Sequence, residues 1–176
     1  RAARDPSREV REAALGLMGL LARSGLYVPT REAIDTLAAL APDDRADRMY
    51  PSARGALGEI ASALAAQPPT DPGSPETAAR LRQSRRHVES TLFKLASVRQ
   101  PESLSAWAMQ KLATWFPSRK ALRVLAESAV GRMDLDRRKR VVASLGTLGK
   151  HAPSRQLAMD TVTALERIAK RVSVAY

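Results

Sequence analysis

The chain has 176 residues, 44% of them apolar but only 4% aromatic, with no cysteine and a formal charge of +11. That length suits one ordinary domain or a short array of repeats. A core so poor in aromatics must be built from Ala, Leu, Val and Met, which favours close helix packing over a sheet. The missing thiols exclude a disulfide framework, thiolate metal sites and a cysteine nucleophile. The longest apolar run, residues 13–22, is too short to cross a bilayer, so no membrane span is expected. The acidic Asp5, Glu9 and Glu12 ahead of it do not fit a signal peptide. A first residue that is Arg rather than Met marks the chain as a fragment or processed form, and the Arg-, Ala- and Pro-rich composition matches GC-rich bacterial coding. The expected setting is soluble, and cytoplasmic unless the protein is a secreted effector.

A proline stands at or just before the start of nearly every apolar-periodic segment, where its fixed φ and missing N–H cost little. These are Pro6, Pro29, Pro51, Pro75, Pro101, Pro117 and Pro153. The spacing predicts helices over 6–24, 30–41, 51–67, 75–98, 101–116, 117–132 and 153–173, and an eighth over 135–150 that starts after the capping pair Asp134 and Asp136. Val10, Ala14, Leu17, Met18 and Leu21 form the expected apolar stripe of the first helix, and Leu122, Leu125, Ala126, Ala129 and Met133 that of the sixth. Val141, Leu145 and Leu148, then Leu157, Leu165, Ile168 and Val172, continue the pattern. No segment alternates as a half-buried strand does. The stretch 67–75, QPPTDPGSP, cannot be helix and reads as an internal loop or linker.

Two short patterns recur. Pro-Ser-Arg occurs at 6–8, 117–119 and 153–155, with the looser Pro51-Ser52-Ala53-Arg54 between them. Leu-Gly occurs at Leu15-Gly16, Leu57-Gly58 and Leu145-Gly146, with the first two glycines 42 residues apart and the third 88 beyond, close to two more such steps. A period of that size is the signature of a helical solenoid, in which small residues let one helix backbone approach the next. Asp5, Val10-Arg11, Ala14 and the Leu-rich end that follows resemble the second helix of a HEAT repeat. Ala53-Arg54-Gly55-Ala56-Leu57 with Ile60 is a second copy that lacks the branched residue before Arg. The resemblance covers about the first 66 residues, since the helix at 75–98 is longer than the standard repeat allows. It implies an all-α fold, an α-solenoid of about eight helices stacked as HEAT- or armadillo-like antiparallel hairpins. It also implies one helical-repeat domain over 1–176, taken from a longer chain whose preceding helix lies before Asp5. A further similarity links residues 112–117, LATWFP, to the Ser-Lys-Trp-Pro repeats of bacterial type III effectors, although the Ser-Lys pair is absent and Phe116 intervenes.

Charge is uneven along the chain. Residues 1–75 hold nine basic and ten acidic side chains, and 76–176 hold twenty and eight. Such a surplus attracts nucleic acid, anionic membrane or acidic protein. It gathers in two clusters, Arg80, Arg82, Arg85 and Arg86, and then Arg137, Arg138, Lys139 and Arg140. The second stands at a helix start, where each cation opposes the macrodipole by roughly 0.3–1 kcal/mol and Asp134 and Asp136 offset part of that. A solvated face explains such runs equally, and Arg138 and Lys139 can pair with Asp134. Arginine suits phosphate, but aromatics for base stacking are not interleaved and neither cluster fits a groove-reading motif. Trp107 and Trp115 lie about 80° apart around one helix. Trp115, in line with Leu104, Ala108 and Leu112, is expected in the core. Trp107 shares a flank with Ser103 and Lys111, half exposed, where it packs on a neighbouring helix or anchors a partner.

Catalysis finds little support. His87 and His151 sit among basic residues and read as polar-surface histidines, with no metal-ligand spacing and no nucleotide-binding loop. Some DNA glycosylases are HEAT-like with a basic groove, but here Trp107 is followed one turn later by Lys111 and no carboxylate shares its face. The residues therefore point to a non-catalytic protein–protein interaction scaffold without cofactor, metal or small-molecule substrate. Its binding surface is expected at Arg82, Arg85, Arg86, Trp107, Lys111, Arg137, Arg138 and Arg140, facing an acidic protein partner. A nucleic-acid-binding module is the alternative.

Overall fold

The computed structural model describes residues 7–42, 49–66, 74–97, 100–130 and 135–173. Among them are eight α-helices and no strand: α1 Arg8–Arg23, α2 Arg31–Leu40, α3 Tyr50–Ala66, α4 Pro75–Leu95, α5 Glu102–Trp115, α6 Arg119–Val130, α7 Leu135–Lys150 and α8 Arg155–Ser173. Every predicted helix is present, with ends that differ by a turn or less. Asp5, Pro6, Met133, Asp134 and the stretch 67–73 lie outside the described residues, as does the side chain of Val172.

The helix starts explain the recurring tripeptide. The hydroxyls of Ser7, Ser118 and Ser154 accept hydrogen bonds from the backbone N–H groups of Val10, Ala121 and Leu157 at 3.4, 3.2 and 3.2 Å. The Arg that follows each of these serines is the first helical residue, so Pro-Ser-Arg is a chain entry, a capping serine and a first turn. Thr30 and Ser74 cap α2 and α4 through Ala33 and Thr77 in the same way. At α1 the Ser7 hydroxyl also donates to Glu9 at 2.8 Å. The backbone N–H of Glu9 itself, and then that hydroxyl, hold the Glu9 carboxyl below its ordinary value. The interaction therefore stabilises the fold above the unfolded carboxylate pKa and fades as pH falls through the lowered one.

Two compact units divide the chain, residues 1–95 and 96–176, so the division falls after α4 rather than at the Pro-rich stretch 67–75. In the first, α1 packs on α3, α2 packs on α4, and α3 touches both α2 and α4. In the second, α5 packs on α7 and α6 on α8, with α5 against α6, α6 against α7 and α7 against α8. Packing between helices one and two places apart in sequence is the order of a helical repeat stack. Direction agrees in the first unit. Gly19 of α1 lies on Ala56 of α3, and one turn later Arg23 reaches Glu59 at 3.7 Å, so the two helices run the same way. The α2–α3 turn is tied by Arg54, whose Nε donates to the Ala41 carbonyl at 2.8 Å while its guanidinium sits 4.9 Å from the centre of the Tyr50 ring.

The face that α1 buries differs from the predicted stripe. Leu15, Gly19 and Ala22 are buried, Ala14, Met18 and Leu21 flank them, and Val10 and Leu17 are 42% and 53% exposed. A helix this rich in Leu and Ala has more than one apolar stripe, and α3 docks where glycine permits the closest approach. The later helices follow the pattern, with Leu125, Ala129, Val141, Leu145, Leu148, Leu157 and Ile168 buried.

The Leu-Gly glycines also need correction. A Cβ at Gly16 or Gly146 would meet nothing within 4 Å, whereas one at Gly19 would stand 3.1 Å from the Ala56 Cα and 3.3 Å from the Glu59 Cβ, and one at Gly149 would stand 3.4 Å from Thr161. The close approach falls three residues after the first and third Leu-Gly pairs, while Gly58 of the second is itself buried. Gly16→Ala is therefore expected to raise stability by up to about 1 kcal/mol through helix propensity. Gly19→Ala gains the same propensity but presses on an unyielding helix backbone, at an overpacking cost of about 1–3 kcal/mol. Chemical denaturation that found Gly19→Ala as stable as Gly16→Ala would contradict the close contact.

Candidate functional site

The two predicted basic clusters belong to different units, Arg82, Arg85 and Arg86 to the first and Arg137, Arg138 and Arg140 to the second. By sequence the first unit holds 14 basic and 12 acidic residues, a net +2, and the second 15 and 6, a net +9. Exposed cations with no hydrogen bond or ion pair among the described residues occur in both units: Arg82, Arg86 and Lys94 in the first, and Arg123, Lys150, Arg155, Arg167, Lys170 and Arg171 in the second.

On α4, Arg80, Arg82, Arg85 and Arg86 are all exposed. Arg80 donates to Glu76 one turn back at 2.6 Å, and Arg85 is engaged as well. Arg82 and Arg86, one turn apart on the same face, have no hydrogen bond or ion pair among the described residues.

Beside them α4 and the start of α2 enclose a groove of about 590 Å³, floored by Val28, Pro29 and Ser84 and rimmed by Arg31, Arg80 and Arg86. Two long-range contacts set its width. The buried Ser84 hydroxyl donates to the Pro29 carbonyl at 2.6 Å, and His87 Nε2 bonds Asp35 Oδ1 at 2.8 Å. The second oxygen of Asp35 lies 3.6 Å from Arg31 Nε. His87, which lines the groove, keeps only 17% of its side chain exposed. Its reading as a polar-surface histidine is thereby corrected, since the partner that lets it sink comes from another helix. His151 is exposed, just beyond α7.

In the second unit Trp107 and Lys111 are both half-buried on one flank of α5, as their spacing predicts. Trp115 is half-buried as well, and the core position expected for it is taken by Phe116, 5% exposed. Because α5 ends at Trp115 and the chain turns at Phe116 (φ −130°, ψ 54°), helical phase no longer decides which ring points inward. The α7 cations work largely within the unit. Arg140 Nη2 donates to Glu102 of α5 at 2.8 Å and Lys139 lies 3.5 Å from Asp136. Nη2 of Arg137 and Nε of Arg138 are shielded from solvent. Asp134, the expected partner of Arg138 and Lys139, lies outside the described residues. A further groove of about 810 Å³ between α6 and α8, with Val130 and Ile168 in its wall and Arg167 and Arg171 at its edge, was not anticipated from the sequence.

Among the described residues no group of three or more His, Asp or Glu is placed to hold a metal ion, and no helix is long and apolar enough to cross a membrane. No family model and no curated protein matches the sequence. Among solved structures, an engineered protein from a structural-genomics consortium is similar at 15% identity over 96% of this chain and 94% of that one, with a TM-score of 0.34. A score so low carries no argument about fold or function.

Ser84 is the residue on which the groove's shape most depends. Ser84→Ala leaves the buried Pro29 carbonyl without its donor, and such a loss costs about 1–3 kcal/mol. Denaturation should show that loss, while Ser90→Ala, an exposed position on the same wall, should be close to neutral. Equal effects would contradict the tether.

Proposed function

We propose that the chain is a non-catalytic binding module of the HEAT or armadillo-like kind that engages an acidic protein segment through the outer face of α4. The observation that carries this reading is the pair Arg82 and Arg86, exposed, one turn apart and without partners among the described residues, with Arg86 lining the groove beside α4. Other cations are spent on neighbours, as Arg8 is on Glu12, Arg80 on Glu76 and Arg140 on Glu102, while Arg167 and Arg171 of α8 share the spacing and exposure of Arg82 and Arg86. Two unpaired guanidiniums at helical spacing match carboxylates one turn apart on a partner. Such exposed charge raises the association rate and selects the partner's sign more than it adds affinity. The packing order of helices one and two places apart supports the repeat-stack assignment. Trp107 with Lys111 supplies a part-buried apolar surface of the type that anchors interfaces.

Nucleic acid is the competing ligand. Against it stands the lack of a Phe, Tyr or Trp in the lining of the groove beside Arg86, on which a base could stack. A labelled acidic peptide and a labelled single-stranded DNA of equal charge, titrated against the full chain, separate the two. The peptide is expected to bind, to weaken as salt rises, and to lose about tenfold or more when Arg82→Glu and Arg86→Glu are combined. Tighter binding of the DNA than of the peptide, with the same sensitivity to the double variant, would replace this reading by the nucleic-acid one.

A further inference from the structure

The groove beside α4 has a chemistry more specific than the face it adjoins. We propose that it binds a phosphorylated side chain, phosphoserine or phosphothreonine, carried by the acidic partner, a proposal that rests on the protein-partner reading above. Three guanidiniums, Arg31 from α2 and Arg80 and Arg86 from α4, surround one opening of about 590 Å³. A carboxylate offers two oxygens to such a ring. A phosphoryl group offers three and carries about −1.5 to −2 charges at neutral pH.

The present partners of these arginines are easily exchanged. Arg31 lies 3.6 Å from Asp35 with 77% of its side chain exposed, and Arg80 meets Glu76 with 69% exposed. Pairs so open to water contribute little. Arg86 has no partner to surrender among the described residues. The wall formed by the start of α2 adds a backbone donor. Thr30 satisfies the Ala33 N–H at 3.2 Å, and the N–H of Arg31, at the positive end of the helix, has no acceptor among the described residues. Val28 and the buried Pro29 provide an apolar floor for the residue next to the phosphate. No Phe, Tyr or Trp lines the groove, and its one ring, His87, is held by Asp35 with only 17% of the side chain exposed, which favours a phosphopeptide over a nucleic-acid backbone, whose bases would need a stacking surface.

The test uses the full chain, one labelled acidic peptide containing serine, and the same peptide carrying phosphoserine. The phosphorylated form is expected to bind about tenfold tighter or more, and inorganic phosphate is expected to erase the difference between the two. Arg31→Gln, which lies in the groove and outside the Arg82–Arg86 face, should remove that preference. Its folding is secured by the exposure of the side chain and checked by circular dichroism. Equal affinity of the two peptides, with acidic-peptide binding intact, would overturn the groove assignment and spare the parent reading. A phosphate preference that survives Arg31→Gln would overturn it as well. Failure of both peptides to bind would overturn the groove and the parent reading together.

Discussion

Helices whose inner faces are Leu, Ala and Gly exclude water only by lying close together, and the contact of α1 with α3 sets that distance. Gly19 brings the two backbones so near that a single added methyl would press on the Ala56 Cα at 3.1 Å. On the opposing helix Ala53, Ala56, Leu57, Ile60, Ala61, Ala63 and Leu64 are all buried, which makes α3 the most enclosed helix of its unit. With few rings in the chain, fit must come from close approach, because interiors are packed to crystal-like density and gaps forfeit dispersion contacts. With α3 held between α1, α2 and α4, the arginines on the polar side of α4 are left exposed.

The local rules were legible along the chain. Capping serines, helix-starting prolines and apolar periods located all eight helices, and the recurring Pro-Ser-Arg proved to be a capping device at each place where it is described. What periodicity could not rank was one apolar stripe against another on the same helix. In α1 both the Val10–Leu17 side and the Leu15–Gly19 side satisfy the helical period, and only the shape of α3 chooses between them. The Trp115 and Phe116 exchange has a similar origin. Phase arguments hold while the helix continues, and α5 stops between the two residues.

The candidate site was legible in part, and the missing part is the part made by distance in sequence. Arg82, Arg85 and Arg86 were visible as a run, as was the Trp107–Lys111 flank. Nothing local could show that Asp35 holds His87 across 52 residues, that Ser84 holds Pro29 across 55, or that Glu102 takes Arg140 across 38. Those pairings turn a list of charged residues into a groove on one unit and an internal brace on the other.

Net charge by itself does not locate an anion site. The second unit carries +9 and the first +2, so a count by segment would put the contact surface on the second. But a cation bonded to a carboxylate has most of its field cancelled at the distance of a ligand, and one shielded from solvent has no open approach. Arg140, whose partner Glu102 comes from another helix, is in the first condition, and one atom each of Arg137 and Arg138 is in the second. Arg86 is in neither, and it shares an opening with two arginines whose own partners are weakly held. What matters for recognition is how many donors converge without a competitor. Measured that way, each unit offers a groove: the one beside α4 adds Arg86 to two exchangeable arginines, and the one between α6 and α8 is lined by Arg167, Lys170 and Arg171.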